Sequence, residues 1–107
     1  MLGRDEAAYK SLQSAIELNA NDPTAYHTLA DVCVRLQRFE EARQHYRTAI
    51  KRWPHYLPTY MGLAEVNLKL QEWEEAAQAI RTASALSPNH PEIVSLSSAL
   101  ENLKKRE

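Results

Sequence analysis

The 107-residue chain is poor in glycine, with only two such residues, and it carries no strong charge of either sign. Tight β-hairpin turns and phosphate-cradling loops rely on glycine, so the composition disfavours folds and ligands that depend on them. The formal net charge is −1. Because binding to nucleic-acid phosphates requires clustered Lys and Arg, we expect no nucleic-acid partner.

Cysteine and long apolar runs are also scarce. Cys33 is the single cysteine, which excludes an internal disulfide and is too few for a zinc site built from thiolates. No apolar run approaches the length that crosses a bilayer, and the start MLGRDEAAYK lacks the apolar segment of a signal peptide. We therefore expect no membrane partner, and the missing signals favour a cytoplasmic location.

The chain contains an internal repeat. The stretch RLQRFEEARQ begins at Arg35, and KLQEWEEAAQ begins thirty-four residues later at Lys69. Aligning residues 23–56 with residues 57–90 makes fourteen of the thirty-four positions identical without a gap. Self-similarity at such a period indicates stacked pairs of helices, because one pair cannot bury its apolar face alone.

Each repeat is predicted to form two helices with apolar stripes at steps of three and four residues. The first stripe comprises Tyr26, Leu29, Ala30 and Cys33. The second comprises Ala42, Tyr46, Ala49 and Ile50. Small residues such as Ala30 and Ala42 allow the two helices to approach closely. Pro54 and its counterpart Pro88 are expected to end the second helices, because proline lacks the N–H that would continue them.

These positions resemble the tetratricopeptide repeat, whose pattern combines an aromatic residue, a leucine, small residues and a closing proline. Gln37 and Gln71 stand at the turn position where the family usually has glycine, and Asn67 and Ile80 replace favoured aromatic residues. The resemblance implies an all-α fold, a right-handed superhelical array (solenoid) of antiparallel helix pairs.

The flanking segments extend this register. Residues 4–19 fit the second helix of an incomplete repeat, with Ala8, Leu12 and Ala15 at its packing positions. Residues 91–104 fit a first helix that caps the array. Its apolar stripe comprises Ile93, Leu96, Leu100 and Leu103. We therefore predict one domain over residues 1–107 with six helices, arranged as a half repeat, two full repeats (23–56 and 57–90) and a half repeat.

The N-terminal half repeat lacks a first helix, so one side of its helix is predicted to have no cover. Two explanations stay open at this point. The chain could be a piece of a longer array, or a second copy could cover the helix and form a homo-oligomer.

No arrangement of residues points to catalysis. Cys33 with His27 or His45 could form a thiol nucleophile and its base, but Cys33 occupies a packing position, where a cysteine behaves as a small apolar residue. The four histidines show no metal-ligand spacing, so we predict no metal site and no cofactor. The acidic pairs that open the second helices, such as Glu40 and Glu41, match the helix dipole. The sequence therefore predicts a non-enzyme.

In the family that the sequence resembles, the first helices line a concave groove that binds a peptide. The resemblance implies groove positions at His27, Thr28, Asp31, Val34, Arg35, Met61, Gly62, Glu65, Leu68 and Lys69. Stacking would align acidic, basic and apolar rows, since equivalent positions of neighbouring repeats lie about 10 Å apart. Asp31–Arg35 and Glu65–Lys69 are also spaced as i,i+4 ion pairs, which stabilise any exposed helix.

We thus predict a scaffold module that binds a protein or peptide partner in this groove, with apolar contacts at Met61 and Leu68. One subclass of the family grips a chaperone's C-terminal carboxylate with Lys, Asn and Arg. The matching positions here hold His27, Asp31, Gly62, Glu92 and Leu96, which predicts that this activity is absent. The alternatives are self-assembly through the N-terminal helix and a substrate-positioning part of a larger enzyme.

Overall fold

The computed structural model describes residues 2–19 and 21–106, which form helices and connecting turns without a strand. The six helices are α1 (Leu2–Leu18), α2 (Pro23–Arg35), α3 (Phe39–Arg52), α4 (Leu57–Lys69), α5 (Trp73–Leu86) and α6 (Pro91–Lys105). Their contacts divide the chain into two compact units, unit 1 (Met1–Pro54) and unit 2 (His55–Glu107). Among the described helices, none combines the length and apolar character that a membrane crossing demands.

Local sequence explains where several helices begin. The carboxylate of Asp22 accepts a hydrogen bond of 3.0 Å from the backbone N–H of Thr24 at the start of α2. At the start of α6, His90 Nδ1 accepts one of 3.2 Å from the N–H of Glu92. The helices that begin at these sites, like α4, have a proline in the first turn. Proline is tolerated there because the first N–H groups of a helix have no intrahelical partner.

In both turns between paired helices, a glutamine adopts the left-handed backbone conformation. Gln37 has φ of 62° and Gln71 has φ of 60°. In the first turn, the N–H of Arg38 donates to the carbonyl of Cys33 at 2.8 Å, and the N–H of Gln37 donates to Val34 at 2.9 Å. This pair of bonds is the Schellman motif, which normally uses glycine. The structure thus explains why the family favours glycine at these two positions.

In unit 1, α2 and α3 pack through their predicted stripes. Ala30 and Ala42 are fully buried, and Tyr46 is 1% exposed. Because each alanine presents only a methyl group, the helices approach closely enough to exclude water from their contact. Cys33 lies in the same core with no exposed surface.

Within unit 1, α1 contacts α2 and the turn that follows it partly through charged side chains. Arg35 Nε lies 3.0 Å from Asp5, and Arg38 lies 2.7 Å from Glu6. Ala8 and Leu12 are partly buried as expected, whereas Ala15 is exposed and Ile16 is partly buried instead. The prediction for Ala15 is wrong because the buried face of α1 continues from Leu12 by a full four-residue step. Self-association through α1 stays a prediction.

Unit 2 repeats the helix pair and adds α6. Its first two helices bury alanines at the equivalent positions, Ala64 and Ala76. α6 contacts both α4 and α5, and its Ile93 and Leu100 are buried. The polar side of α6 remains exposed, as a helix that ends a stack requires.

Candidate functional site

The predicted binding residues of unit 1 lie on one face of α2. His27, Thr28, Asp31 and Val34 are partly buried, and Arg35 is exposed. Asp31 accepts a hydrogen bond of 2.7 Å from the Tyr46 hydroxyl, and its carboxylate lies 3.3 Å from His27 Nε2.

The expected i,i+4 pair between Asp31 and Arg35 is wrong. Arg35 extends to α1 and pairs with Asp5 at 3.0 Å, whereas Asp31 contacts the preceding turn of α2 and the hydroxyl of α3. A sequence pattern within one helix could not reveal either choice, because the competing partners come from other helices.

The predicted residues of unit 2 lie on α4. Glu65 and Lys69 are exposed, and Met61 and Gly62 are partly buried. Leu68, which the resemblance places in the groove, is only 7% exposed. It belongs to the core of unit 2 and reaches the surface only as part of a cleft.

This cleft, which we call the α4–α6 cleft, has a volume of about 460 Å³. It is lined by Glu65, Leu68, Lys69, Gln71, Trp73, Leu96, Ala99 and Leu103. Three of these residues were predicted from the sequence as binding positions. The others come from the turn between α4 and α5, from the start of α5 and from α6, whose approach to α4 the repeat pattern did not reveal in detail.

Trp73 is partly buried and lines the α4–α6 cleft. It stands at the position that Phe39 occupies in the first repeat. Trp53 lies in unit 1 with its ring centroid 5.7 Å from that of Tyr26.

A second group of reactive side chains lies in unit 1. Cys33, Glu41 and His45 place their thiol, carboxylate and imidazole ligand atoms within 4.8 Å of one another. His45 Nε2 lies 3.6 Å from a Glu41 oxygen, and the Tyr9 hydroxyl donates a hydrogen bond to the same carboxylate. Sequence analysis paired Cys33 with His45 but missed Glu41. The available signal was the four-residue spacing of Glu41 and His45, which puts both on one face of α3.

The thiol in this group is not an activated nucleophile. Burial, followed by the charge of Glu41 and a hydrogen bond to it, raises the pKa of Cys33 to about 12. The hydrogen bond to Glu41, with burial as the second cause, raises the pKa of Tyr9 to about 12. Both groups are therefore protonated at neutral pH in this geometry, whereas thiol nucleophiles depend on a lowered pKa.

Comparison with known proteins identifies the repeat. Models of the tetratricopeptide repeat match residues 2–57 and residues 37–100. No curated protein matches the chain significantly.

Three solved structures illustrate the likeness of the fold. The TPR domain of Arabidopsis OM64 is 24% identical with a TM-score of 0.85, over 98% of this chain and 84% of that one. The TPR2B domain of yeast Sti1, in a complex with pHsp70, is 18% identical with a TM-score of 0.84, over 98% and 86%. The Yersinia enterocolitica chaperone SycD, in complex with a peptide of the translocator YopD, is 25% identical with a TM-score of 0.85, over 98% and 84%.

The helical pairs, the left-handed turns and the two family matches agree. Each family match covers more than half of the chain, and together they include both helix pairs. The chain therefore belongs to the tetratricopeptide repeat family, with an all-α solenoid fold.

Proposed function

We propose that this chain is a non-catalytic protein-interaction module that binds a peptide or a helix through its first helices. The α4–α6 cleft is the observation that carries this proposal. It places an apolar surface beside Glu65 and Lys69, two charged side chains that remain exposed.

The chemistry of the cleft suits an apolar anchor of a peptide. Leu68, Trp73 and Leu103 provide apolar walls, and the volume of about 460 Å³ falls in the range of about 300–1,000 Å³ that is typical of ligand pockets. Burying an apolar side chain there would contribute about 25 cal/mol of binding free energy for each Å² of apolar surface that is removed from water. Glu65 and Lys69 would then favour one direction of the peptide through their opposite charges.

The face of α2 is proposed as a separate, polar contact surface of unit 1. Its predicted residues are His27, Thr28, Asp31, Val34 and Arg35. Arg35 keeps 55% of its side chain exposed while it pairs with Asp5, so its guanidinium still has surface available to a partner. Asp31 contributes less because its carboxylate already accepts a hydrogen bond from Tyr46.

The relatives support the general class of partner. SycD, at 25% identity, binds a peptide of YopD, which favours a segment of another protein as the partner here. The likeness to the Sti1 domain is weaker in sequence and concerns the fold alone.

The test is to fill the cleft. We would select binders from a displayed library of random peptides on the unaltered chain, then measure their affinity for Ala99→Phe and Ala85→Phe. Ala99 lines the cleft, so a phenyl ring there occupies it. Ala85 is exposed on α5, outside the cleft lining, and provides a matched control with the same increase in apolar surface. Circular dichroism verifies that both variants are helical.

We expect binding to fall by more than about tenfold in Ala99→Phe, because the loss of one buried anchor exceeds about 1.4 kcal/mol. Ala85→Phe should bind as the unaltered chain does. Equal binding to both variants would contradict a role for the cleft, and a failure to select any peptide would contradict peptide recognition itself.

A further inference from the structure

We propose that Cys33, Glu41 and His45 form a binding site for one divalent metal ion of zinc type, which we call the α2–α3 site. Their three donor atoms lie within 4.8 Å of one another. Thiolate, imidazole and carboxylate are the three side-chain donors that zinc accepts in proteins.

The distance between His45 and Glu41 fits shared coordination better than a hydrogen bond. His45 Nε2 lies 3.6 Å from the Glu41 oxygen, which is beyond the usual range of a hydrogen bond between nitrogen and oxygen. Two ligands with bonds of about 2.0–2.2 Å to one tetrahedral zinc lie about 3.4 Å apart. Small movements of these side chains would therefore place both atoms in the first coordination shell.

The buried nitrogen of His45 is a second, independent observation. His45 Nε2 is inaccessible to water and has no hydrogen-bond partner among the described residues. A buried polar atom without a partner destabilises the fold unless another group satisfies it. A metal ion bonded to Nε2 would satisfy it.

The helices hold the three ligands from two sides. Glu41 and His45 lie on successive turns of α3, and Cys33 lies on α2, which packs against α3. Tyr9 of α1 donates its hydroxyl to the Glu41 carboxylate. Such a second partner orients a ligating carboxylate and tunes its affinity for the metal.

Access and charge also bear on the site. The Glu41 side chain is 36% exposed and that of His45 is 24% exposed, so the cluster borders solvent at these side chains, whereas His45 Nε2 and Cys33 are buried. Arg38 opposes a cation, since its guanidinium lies 4.9 Å from the Tyr9 ring centroid, but that charge is paired with Glu6 at 2.7 Å.

Binding must displace the thiol proton. Zinc-type ions bind cysteine as the thiolate, so formation of the metal–sulfur bond releases the thiol proton to solvent. No electron is transferred, and the bond replaces only an S–H bond. Proton release is therefore a signature of Cys33 as a ligand.

The experiment titrates the full chain, first treated with a chelator and kept reduced, with Co²⁺. A thiolate ligand produces a near-ultraviolet charge-transfer band, and added Zn²⁺ should bleach it by displacing cobalt. The variants are His45→Gln and Cys33→Ser. His55→Gln is the matched control, because His55 is an exposed histidine outside the cluster. Calorimetry in buffers of different ionisation enthalpy counts the released protons, and circular dichroism monitors folding.

We expect one equivalent of cobalt to bind with release of about one proton. His45→Gln should weaken binding by more than about tenfold while the chain stays helical, Cys33→Ser should abolish the charge-transfer band, and His55→Gln should change neither. The absence of the band in the unaltered chain would overturn the proposal. So would a band that folded His45→Gln retains at full affinity.

Discussion

The two units repeat one pattern but fill it differently. In unit 1 the second helix carries His45 and Tyr46, whereas unit 2 has Ala79 and Ile80 at the equivalent positions. Tyr46 is buried and hydrogen bonded to Asp31, while Ile80 is buried as an apolar side chain. The alanines between the paired helices are the same in both units.

This difference shows which positions of the repeat are constrained by helix packing and which can vary. Close helix packing needs small residues at Ala42 and Ala76, because a larger side chain would separate the helix axes. One helical turn later, the same backbone accepts either Tyr46, whose hydroxyl reaches Asp31, or the apolar Ile80. Unit 1 therefore has His45 beside Cys33 and Glu41, and unit 2 has Ala79 at the position of His45.

The largest effect should come from enlarging the shared alanines. Ala42→Leu and Ala76→Leu should each lower the free energy of unfolding by about 1–3 kcal/mol, because both positions are fully buried. Urea unfolding measures this loss. Trp53 lies in unit 1 and Trp73 in unit 2. In a protein in which one tryptophan is replaced by Phe, the fluorescence of the other tryptophan therefore reports on one unit.

The losses of unfolding free energy in Ala42→Leu and Ala76→Leu should agree within about 0.5 kcal/mol. Differences below this size are comparable to the usual deviation from additivity between separate sites. A loss confined to one unit would show that the alanines are not equivalent, and the comparison between the units would then fail at its common feature.

A smaller effect should distinguish the units. Tyr46→Phe should destabilise unit 1 by about 1 kcal/mol, since it removes a hydrogen bond to a carboxylate. This value is below the about 1.5–3 kcal/mol that is usual for a hydrogen bond to a charged group, because the Asp31 side chain is 43% exposed and water replaces part of the lost interaction. Urea unfolding followed by Trp53 fluorescence is the measurement.

The control is a double-mutant cycle with Asp31→Asn. If Tyr46 acts through Asp31, the two changes together should destabilise less than the sum of each alone. Strict additivity would mean that the hydroxyl stabilises unit 1 through some other contact.

The smallest effect should appear at the turns, and it has the opposite sign. Gln37→Gly and Gln71→Gly should each stabilise the chain by about 0.5–1 kcal/mol, because glycine adopts a positive φ without the strain that a Cβ introduces. The greater freedom of glycine in the unfolded chain offsets part of the gain. Thermal unfolding measures the shift, and Gln78→Gly, at an exposed position inside α5, is the matched control that should destabilise. A lower thermal stability of Gln37→Gly or Gln71→Gly would contradict the proposal that the glutamine backbone is strained at that turn.

The sequence predicted the elements of the fold well for a physical reason. Apolar residues at three- and four-residue steps leave few alternatives to a helix with one buried face, and the thirty-four-residue period locates both pairs. Positions such as Ala30 and Cys33, which are predicted to be core, are fully buried.

The candidate sites were predicted less well, because their geometry depends on neighbouring helices. Leu68 was predicted as a groove contact, yet it is only 7% exposed and belongs largely to the core. Arg35 was expected to pair within its own helix, yet it pairs with Asp5 of α1. In each case the contact that decides the position comes from another helix, and the spacing of residues within one helix does not show which helix that is.

The sequence by itself determined the family, the helix pairs and the absence of any recognisable catalytic motif, since these depend on periodicity and residue type. Only the tertiary structure decided which charged groups pair, and it alone produced the α4–α6 cleft and the α2–α3 site. The reason is that both depend on side chains from different helices. Glu41 and His45 share a face of α3 by spacing alone, but packing of α2 against α3 was needed to add Cys33.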